Sequence, residues 1–307
     1  MLLNWIMLAI VTPTGSDEIP SLCYILSAVF IFIYQIADNI DGRQARRTNN
    51  ATPLGELFDH GNDSLMIGIF ALIVVLGLHI STIVTLVVLL MMYLIFFLSH
   101  WEEYHTGTLI LNALLNPTEL QLIMIIILLI ESVYPEFITF TLFGFQMNYF
   151  IATCVVIVSI CAFFFYCYNV YDIIKEKNKE TFGKGLIRLL PFILFFISTA
   201  MLFLLTDDQF KKDHFHGIVG ITILINAFVT QRIILNRICK EEVDHFYYIN
   251  IIYLCYVVLM ILGIQQSVLT YLMLIISIGQ EVMFWINVSL CICKEIHINV
   301  WTVKKYE

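Results

Sequence analysis

Charged side chains are scarce in this sequence: they make up 13% of its 307 residues, against 60% hydrophobic residues and a mean hydropathy of +0.88. Most of its long apolar segments also lack the polar face that a surface helix of a soluble domain requires. The sequence contains no internal repeat, no separate polar domain and no feature that indicates binding to nucleic acid. This composition predicts an all-α, polytopic integral membrane protein in which residues 1–307 form one membrane domain.

Nine segments are long and apolar enough to be membrane spans, and a tenth is partial. The nine lie at about 22–40, 57–79, 81–100, 118–133, 149–173, 185–206, 216–236, 246–264 and 268–293. Residues 1–12 are apolar too, but they are too few to cross about 30 Å of hydrocarbon at 1.5 Å per residue. They also lack the basic start and the cleavage site of a signal peptide. We therefore expect about ten transmembrane helices, with the first truncated.

The basic residues are unevenly distributed between the two ends of these spans. Of the 16 lysines and arginines, only Lys211 and Lys212 fall opposite the side that carries the turn at 41–56. Because basic loops remain in the cytosol, this turn is predicted to be cytosolic. The formal charge of −8 does not indicate an acidic docking surface, since several acids belong to the polar cluster described next.

The eight cysteines lie mostly inside the apolar spans and have no paired loop spacing. Cys291 and Cys293 are too close together, and too deep in a predicted helix, to be a zinc pair without partners. We therefore interpret all eight cysteines as small apolar core residues.

Four aspartates lie near the ends of the first two full spans. Asp38 and Asp41 are three residues apart and share one face of a helix. The next helix has the spacing i, i+3, i+4 and i+7 on one face, at Glu56, Asp59, His60 and Asp63. Carboxylates prefer Mg²⁺ or Mn²⁺ to zinc, and four of them can hold two ions about 4 Å apart for phosphoryl displacement. We predict that two Mg²⁺ ions bind Asp38, Asp41, Asp59 and Asp63, since helix capping would explain only one or two of these acids.

Glycine and arginine accompany the acids. Gly42 lacks a side chain at a point where a diphosphate could approach the backbone, and Gly55 does the same on the second helix. Arg46 offers a planar, two-pronged donor for a phosphate group. Arg43 and Arg47 either do the same or mark the cytosolic interface. We predict a phosphate-binding site formed by Gly42, Arg46 and Gly55.

Glu56 and His60 lie one helical turn apart beside the acidic face. Glu56 could orient the His60 imidazole, which could then deprotonate a substrate hydroxyl near neutral pH. A carboxylate that already binds two cations is a weaker base, because the metals occupy its lone pairs. We therefore prefer His60, assisted by Glu56, to Asp63 as the general base, while a purely structural His60 remains an alternative.

A second polar cluster, His100-Trp101-Glu102-Glu103-Tyr104-His105-Thr106-Gly107, follows the 81–100 span on the same side. It continues to Asn116-Pro117-Thr118-Glu119 at the start of the next span. The acids and the tyrosine could line a pocket for a cationic amine. The alternative is an interfacial aromatic belt with solvated acids.

The pattern Asp41-Gly42-x2-Ala45-Arg46-x8-Gly55-x3-Asp59-x3-Asp63, with Asp38 upstream, resembles the signature of the CDP-alcohol phosphotransferase family at every defined position. The surrounding runs Gln44–Asn49 and Pro53–Gly61 resemble the eukaryotic choline/ethanolamine branch of that family. Ser99-His100-Trp101-Glu102-x-Tyr104-x-Thr106-Gly107 is most similar to ethanolamine-specific members, as is Phe195–Ala200 more loosely.

This resemblance implies a ten-helix fold, a homodimer, and an active site at about 22–130 that opens to the cytosol, with the remaining helices at 149–293. It implies a transfer of phosphoethanolamine from CDP-ethanolamine to diacylglycerol, at the endoplasmic reticulum or Golgi membrane. In this reading Gly42, Arg46 and Gly55 bind the CDP moiety, and the four aspartates hold two Mg²⁺ ions. His60 with Glu56 deprotonates diacylglycerol, although Asp63 is often assigned as the base in the wider family.

Three other functions are considered. CDP-choline could be the donor, alone or together with CDP-ethanolamine. Family members usually have a Pro-Asn-x-x-Thr segment ahead of the first helix, and Asn4 lies at the wrong distance from Asp38 to replace it. This departure suggests a fragment or a natural short form, and it leaves a catalytically inactive membrane scaffold as the non-enzyme alternative. An ion transporter would distribute its acids across the membrane depth, which the clustering of these four disfavours.

Overall fold

The computed structural model describes residues 1–109, 117–142, 144–177 and 180–295, and this part of the chain is almost entirely helical. The helices are α1 (Leu2–Val11), α2 (Ser21–Arg47), α3 (Pro53–Leu78), α4 (Thr82–Thr106), α5 (Pro117–Val133), α6 (Met147–Lys177), α7 (Phe182–Ile187), α8 (Leu190–Leu205), α9 (Asp208–Asp213), α10 (Phe215–Cys239), α11 (Tyr248–Ile261) and α12 (Gln266–Glu295). A short 3₁₀ helix spans Pro135–Phe137, and an antiparallel hairpin pairs β1 (Thr141–Leu142) with β2 (Phe145–Gln146). The expected all-α membrane fold is confirmed.

Six of these helices are long and apolar enough to cross a membrane: α2, α3, α4, α6, α10 and α12. Three shorter apolar helices, α1, α8 and α11, coincide with other predicted spans. The helix α5 covers the predicted span at 118–133. The expected spans therefore each correspond to a helix in the described part of the chain.

The predicted turn at 41–56 is shorter than expected, because α2 continues through Asp41, Gly42 and Arg46 to Arg47. Gln44, Ala45 and the arginines favour helix, and positive charge in the last turn interacts favourably with the helix dipole. The connection to α3 is left to residues 48–52. The helix α3 then begins with Thr52 as its cap and a proline in its first turn.

The helix α10 lies at the centre of the molecule, with 89% of its span buried, although it carries several polar residues. Thr222, Asn226, Thr230 and Gln231 are all fully buried on this helix. It packs closely along α3 and also contacts α12 and α4. By contrast, only 17% of the α6 span is buried, so its apolar surface faces outward, as expected for a helix in contact with lipid.

The structure corrects the interpretation of all eight cysteines as core residues. All eight are free, but only Cys23 is buried. Cys154, Cys161, Cys239, Cys255 and Cys291 are exposed on the outer faces of the helices. A small thiol is compatible with lipid as well as with a core, and composition alone does not separate the two environments.

Candidate active site

Three carboxylates from the first two long helices come together at one end of the bundle. Oxygen atoms of Asp38 on α2 and of Asp59 and Asp63 on α3 lie within 4.8 Å of one another, and all three residues are partly buried. In the described part of the chain, no lysine or arginine forms an ion pair with any of them. Clustered carboxylates without a cationic partner fit a divalent metal with oxygen ligands.

The fourth predicted ligand, Asp41, is arranged differently. It is exposed, its Oδ1 accepts a hydrogen bond from the Gly42 amide at 2.5 Å, and it lies outside the three-carboxylate group. Tyr34, one turn before Asp38, instead donates a hydrogen bond from its hydroxyl to Asp63 Oδ1. The predicted set of four aspartates thus appears as three clustered carboxylates with Asp41 beside them.

The predicted phosphate-binding residues lie close to these carboxylates. The Arg46 guanidinium folds back over Gly42, where its Nη1 lies 3.5 Å from the position that a side-chain carbon would occupy. Gly55 donates its amide hydrogen to Thr52 Oγ1 at 3.0 Å, which caps the start of α3. Arg46 and Gly55 are both exposed at the end of the bundle.

Glu56 has a different partner from the one expected. Its Oε1 accepts a hydrogen bond from Arg237 Nη2 at 2.5 Å, so this carboxylate is paired with an arginine of α10. The same arginine nitrogen lies 3.5 Å from Glu103 Oε1 on α4. Arg237 therefore links the starts and ends of three helices around the site.

His60 lies among residues of the second polar cluster. Its ring centroid is 5.3 Å from that of His100, and ligand atoms of His60, His100 and Glu103 lie within 4.8 Å of one another. His100 Nδ1 is 3.0 Å from Glu103 Oε2, which fixes the position of that ring. His60 Nδ1 is buried and has no hydrogen-bond partner. Because Nδ1 is enclosed by the protein, a substrate hydroxyl has to reach this imidazole at its other nitrogen, Nε2.

Glu102 and Glu103 of the second polar cluster are buried, so the aromatic-belt interpretation with solvated acids is wrong for these two acids, whereas Glu119 is exposed. Glu102 is fully buried and accepts a hydrogen bond from Asn169 Nδ2 at 2.5 Å. The Trp101 indole donates a hydrogen bond to the Gly185 carbonyl oxygen at 3.0 Å. Asn116 lies outside the described residues, whereas the Thr118 carbonyl oxygen accepts a hydrogen bond from Gln35 at 2.8 Å.

Sequence reasoning missed three residues that the fold brings to this site: Tyr34, Arg237 and His100 in its contact with His60. The spacing of Tyr34 and Asp38, one helical turn apart, was a usable signal. Arg237 had none, because it lies 181 residues from Glu56.

A sequence model of the family described as CDP-alcohol phosphatidyltransferase matches residues 2–160, slightly more than half of the chain. The matched region contains α1–α5, and with them all the predicted site residues.

Several proteins of this family are similar to the chain. An uncharacterized class-I family protein 2 from Dictyostelium discoideum is 32% identical over 302 residues, which cover 95% of this chain and 71% of that protein. Cholinephosphotransferase 1 from Rattus norvegicus is 36% identical over 137 residues, 43% of this chain and 33% of the relative. Human cholinephosphotransferase 1 is 37% identical over 122 residues, 39% of this chain and 30% of the relative. The similarity to the two cholinephosphotransferases thus spans about a third of their length.

Proposed function

Because this chain belongs to the CDP-alcohol phosphatidyltransferase family, we propose that it transfers phosphoethanolamine from CDP-ethanolamine to 1,2-diacylglycerol, giving phosphatidylethanolamine and CMP. The observation that carries this proposal is the group of three carboxylates formed by Asp38, Asp59 and Asp63 on the two helices of the family signature. In the described part of the chain these carboxylates form no ion pair with a lysine or arginine, and the exposed Arg46 lies nearby. Such a site suits a divalent metal together with the diphosphate of a donor.

In this proposal Asp38, Asp59 and Asp63, together with the neighbouring Asp41, hold two Mg²⁺ ions, with Mn²⁺ as a substitute. When bound, the ions neutralise the diphosphate and stabilise the charge that develops on the leaving phosphate. Tyr34 orients the Asp63 carboxylate through its hydrogen bond. Arg46 binds a phosphate of the CDP moiety, and Gly42 and Gly55 leave room for the nucleotide next to the backbone.

The acceptor hydroxyl of diacylglycerol is deprotonated by the His60 imidazole, at the nitrogen opposite the buried Nδ1. The resulting alkoxide attacks the β-phosphorus of the donor, a new P–O bond forms, and the bond to the bridging oxygen breaks so that CMP leaves. Glu56, held by Arg237, lies one helical turn before His60 on the same face of α3. Asp63 is the alternative base. His60 and Asp63 have different neighbours, so substitutions at the two positions can distinguish between them.

CDP-choline is the second candidate donor. The observation that favours it is the similarity to two cholinephosphotransferases, whereas the run His100–Gly107 favours ethanolamine. The family resemblance further supports a homodimer in the endoplasmic reticulum or Golgi membrane with the active site facing the cytosol, and these remain proposals.

The test is an assay of membranes that contain this chain. Diacylglycerol and Mg²⁺ are supplied with CDP-ethanolamine or CDP-choline, and both phospholipid and CMP are measured. We expect phosphatidylethanolamine to form in the larger amount, and its formation to stop when EDTA removes the metal and to resume when Mg²⁺ is restored. The matched control is a D38N/D59N variant, which should be inactive.

A larger yield of phosphatidylcholine would assign choline as the preferred headgroup. No product from either donor would favour the non-enzyme alternative, an inactive membrane scaffold.

A further inference from the structure

A cavity of about 540 Å³ is lined in part by Arg237. Its other lining residues come from the ends of α4, α6 and α10 and from Glu180 and Arg188, which lie between α6 and α8. Its size exceeds that of a single water molecule or metal ion by more than an order of magnitude. It therefore has room for a small organic ligand or a lipid headgroup.

Positive charge dominates the lining of this cavity. Four cationic side chains contribute to it: Lys177, Arg188, Arg237 and Lys240. Glu180 is the only carboxylate among the lining residues, and it is already paired with Arg188 at 2.8 Å and with His105 at 3.2 Å. Arg237 is paired with Glu56 and Glu103, which do not line the cavity. Lys177 and Lys240 therefore carry positive charge that no carboxylate among the lining residues neutralises, which favours an anionic occupant.

Several hydrogen-bond donors around the cavity lack protein partners. Arg237 Nε is buried without a partner, although the other end of its guanidinium binds Glu56. Lys240 is exposed and forms no ion pair within the described residues. An anion in the cavity would provide the acceptor that the Lys240 ammonium group lacks.

The remaining wall shows what else the occupant contacts. Ile173 and Ile174 of α6 form an apolar patch beside the cations, on the helix whose outer surface is mostly exposed. The Arg188 guanidinium lies 5.2 Å from the centre of the Tyr104 ring and is thereby held at the cavity. Charged groups next to an apolar wall, at the ends of membrane helices, suit a phosphate group at the level of the lipid headgroups.

We propose that this cavity binds a phosphate group, carried by an anionic lipid headgroup or present as free inorganic phosphate. Arg237 lines the cavity and also pairs with two carboxylates, those of Glu56 and Glu103. An anion in the cavity therefore shares this arginine with the two carboxylates near His60. Occupancy of the cavity is thereby coupled to the residues of the proposed reaction.

The experiment measures binding to the purified full chain in nanodiscs of neutral lipid. Water-soluble dihexanoyl phosphatidic acid and inorganic phosphate are titrated separately, so that the two arms distinguish a lipid source from a free anion. The variants are Lys240→Gln, and Lys177→Gln with Lys240→Gln. The control is Lys184→Gln, which removes an exposed cation at the same end of the molecule that does not line the cavity.

We expect Lys240→Gln to weaken binding about tenfold and the double variant about 100-fold, with Lys184→Gln equal to the unsubstituted protein. Saturable binding of dihexanoyl phosphatidic acid alone supports a lipid headgroup, and binding of inorganic phosphate with the same pattern supports a free anion. Absence of saturable binding, or equal affinity in all variants, would overturn the proposal. Because binding is measured without turnover, the outcome is independent of the proposed transferase activity.

Discussion

His60 and Asp63 lie one turn apart on α3 but have different neighbours. Asp63 shares the carboxylate group with Asp38 and Asp59 and accepts a hydrogen bond from Tyr34. His60 lies beside His100 and Glu103 and outside the carboxylate group. A metal ligand has its lone pairs occupied, whereas an imidazole outside the carboxylate group can take a proton. This difference assigns the two residues to separate roles.

His60→Ala is expected to reduce kcat by about 10²–10⁴-fold, the usual contribution of a general base, and to leave Mg²⁺ dependence and donor binding unchanged. Asp63→Asn is expected to raise the Mg²⁺ concentration needed for half-maximal activity. Rate measurements across a Mg²⁺ titration, with calorimetry of donor binding, separate the two effects. Near-normal turnover in His60→Ala would show that this assignment of the base is wrong.

Arg237 and Arg232 lie on the same helix and differ in the burial of their acidic partners. Arg237 pairs with Glu56 and with Glu103, whose side chain is only 4% exposed, whereas Arg232 pairs with Asp244, which is 59% exposed. Arg237→Gln should destabilise the protein by about 3–5 kcal/mol, because a buried carboxylate loses a cation. Arg232→Gln should cost about 0–1 kcal/mol. Thermal unfolding in detergent measures both, and equal effects would contradict this account of Arg237.

At this scale, spacing along single helices predicted much of the site. It identified the aspartates and His60, because residues three and four apart share a face. It did not predict that Glu56 pairs with Arg237, because that contact joins helices far apart in sequence. The burial of Glu102 and Glu103 was equally out of reach, since it depends on Asn169 of α6 and on α10.

Among the elements, α3 and α10 approach each other closely through small residues. A side-chain carbon at Gly68 would lie 2.5 Å from Ile223 Cγ1, and one at Gly61 would lie 2.7 Å from the Trp285 ring of α12. Glycine is therefore required at these positions by packing, and the close contact fixes the helix that carries Asp59, His60 and Asp63.

Gly68→Ala should destabilise the protein by about 1–3 kcal/mol, because the added methyl overpacks the contact with Ile223. Gly279→Ala is the matched control: it also lies in a long helix, but no atom lies within 4 Å of the added carbon. That variant should be neutral or more stable by up to about 1 kcal/mol, because alanine favours helix over glycine. The midpoints of thermal unfolding give the comparison, and a neutral Gly68→Ala would contradict the packing argument.

The positions of the helices were predictable from hydropathy, and their ends less so. The span predicted to end near residue 40 continues to Arg47, because Gln44, Ala45 and the arginines extend the helix beyond the apolar run. Hydropathy locates the apolar part of a helix. The ends of the helix depend instead on dipole interactions and on capping, such as the cap that Thr52 provides for α3.

For the whole molecule, the uneven distribution of basic residues predicts orientation. Tobacco etch virus protease sites inserted between Lys240 and Asp244, or before α9 near Asp207, should differ in sealed microsomes. The first should be cut by external protease and the second protected until detergent is added, because basic loops face the cytosol. If external protease cut the second site alone, the orientation would be the reverse of the predicted one.

The two helices that supply the carboxylates belong to different parts of the bundle. The helix α2 packs mainly against α5, whereas α3 packs mainly against α10 and α4. The two helices have few contacts with each other, among them the hydrogen bond from Tyr34 to Asp63. Asp38 thus lies on one side of a seam and Asp59 and Asp63 on the other. Without a cation, the carboxylate of α2 and those of α3 repel each other. A divalent ion bound to both helices would hold them together. Opening of the substrate cleft and release of the ion would then be a single event.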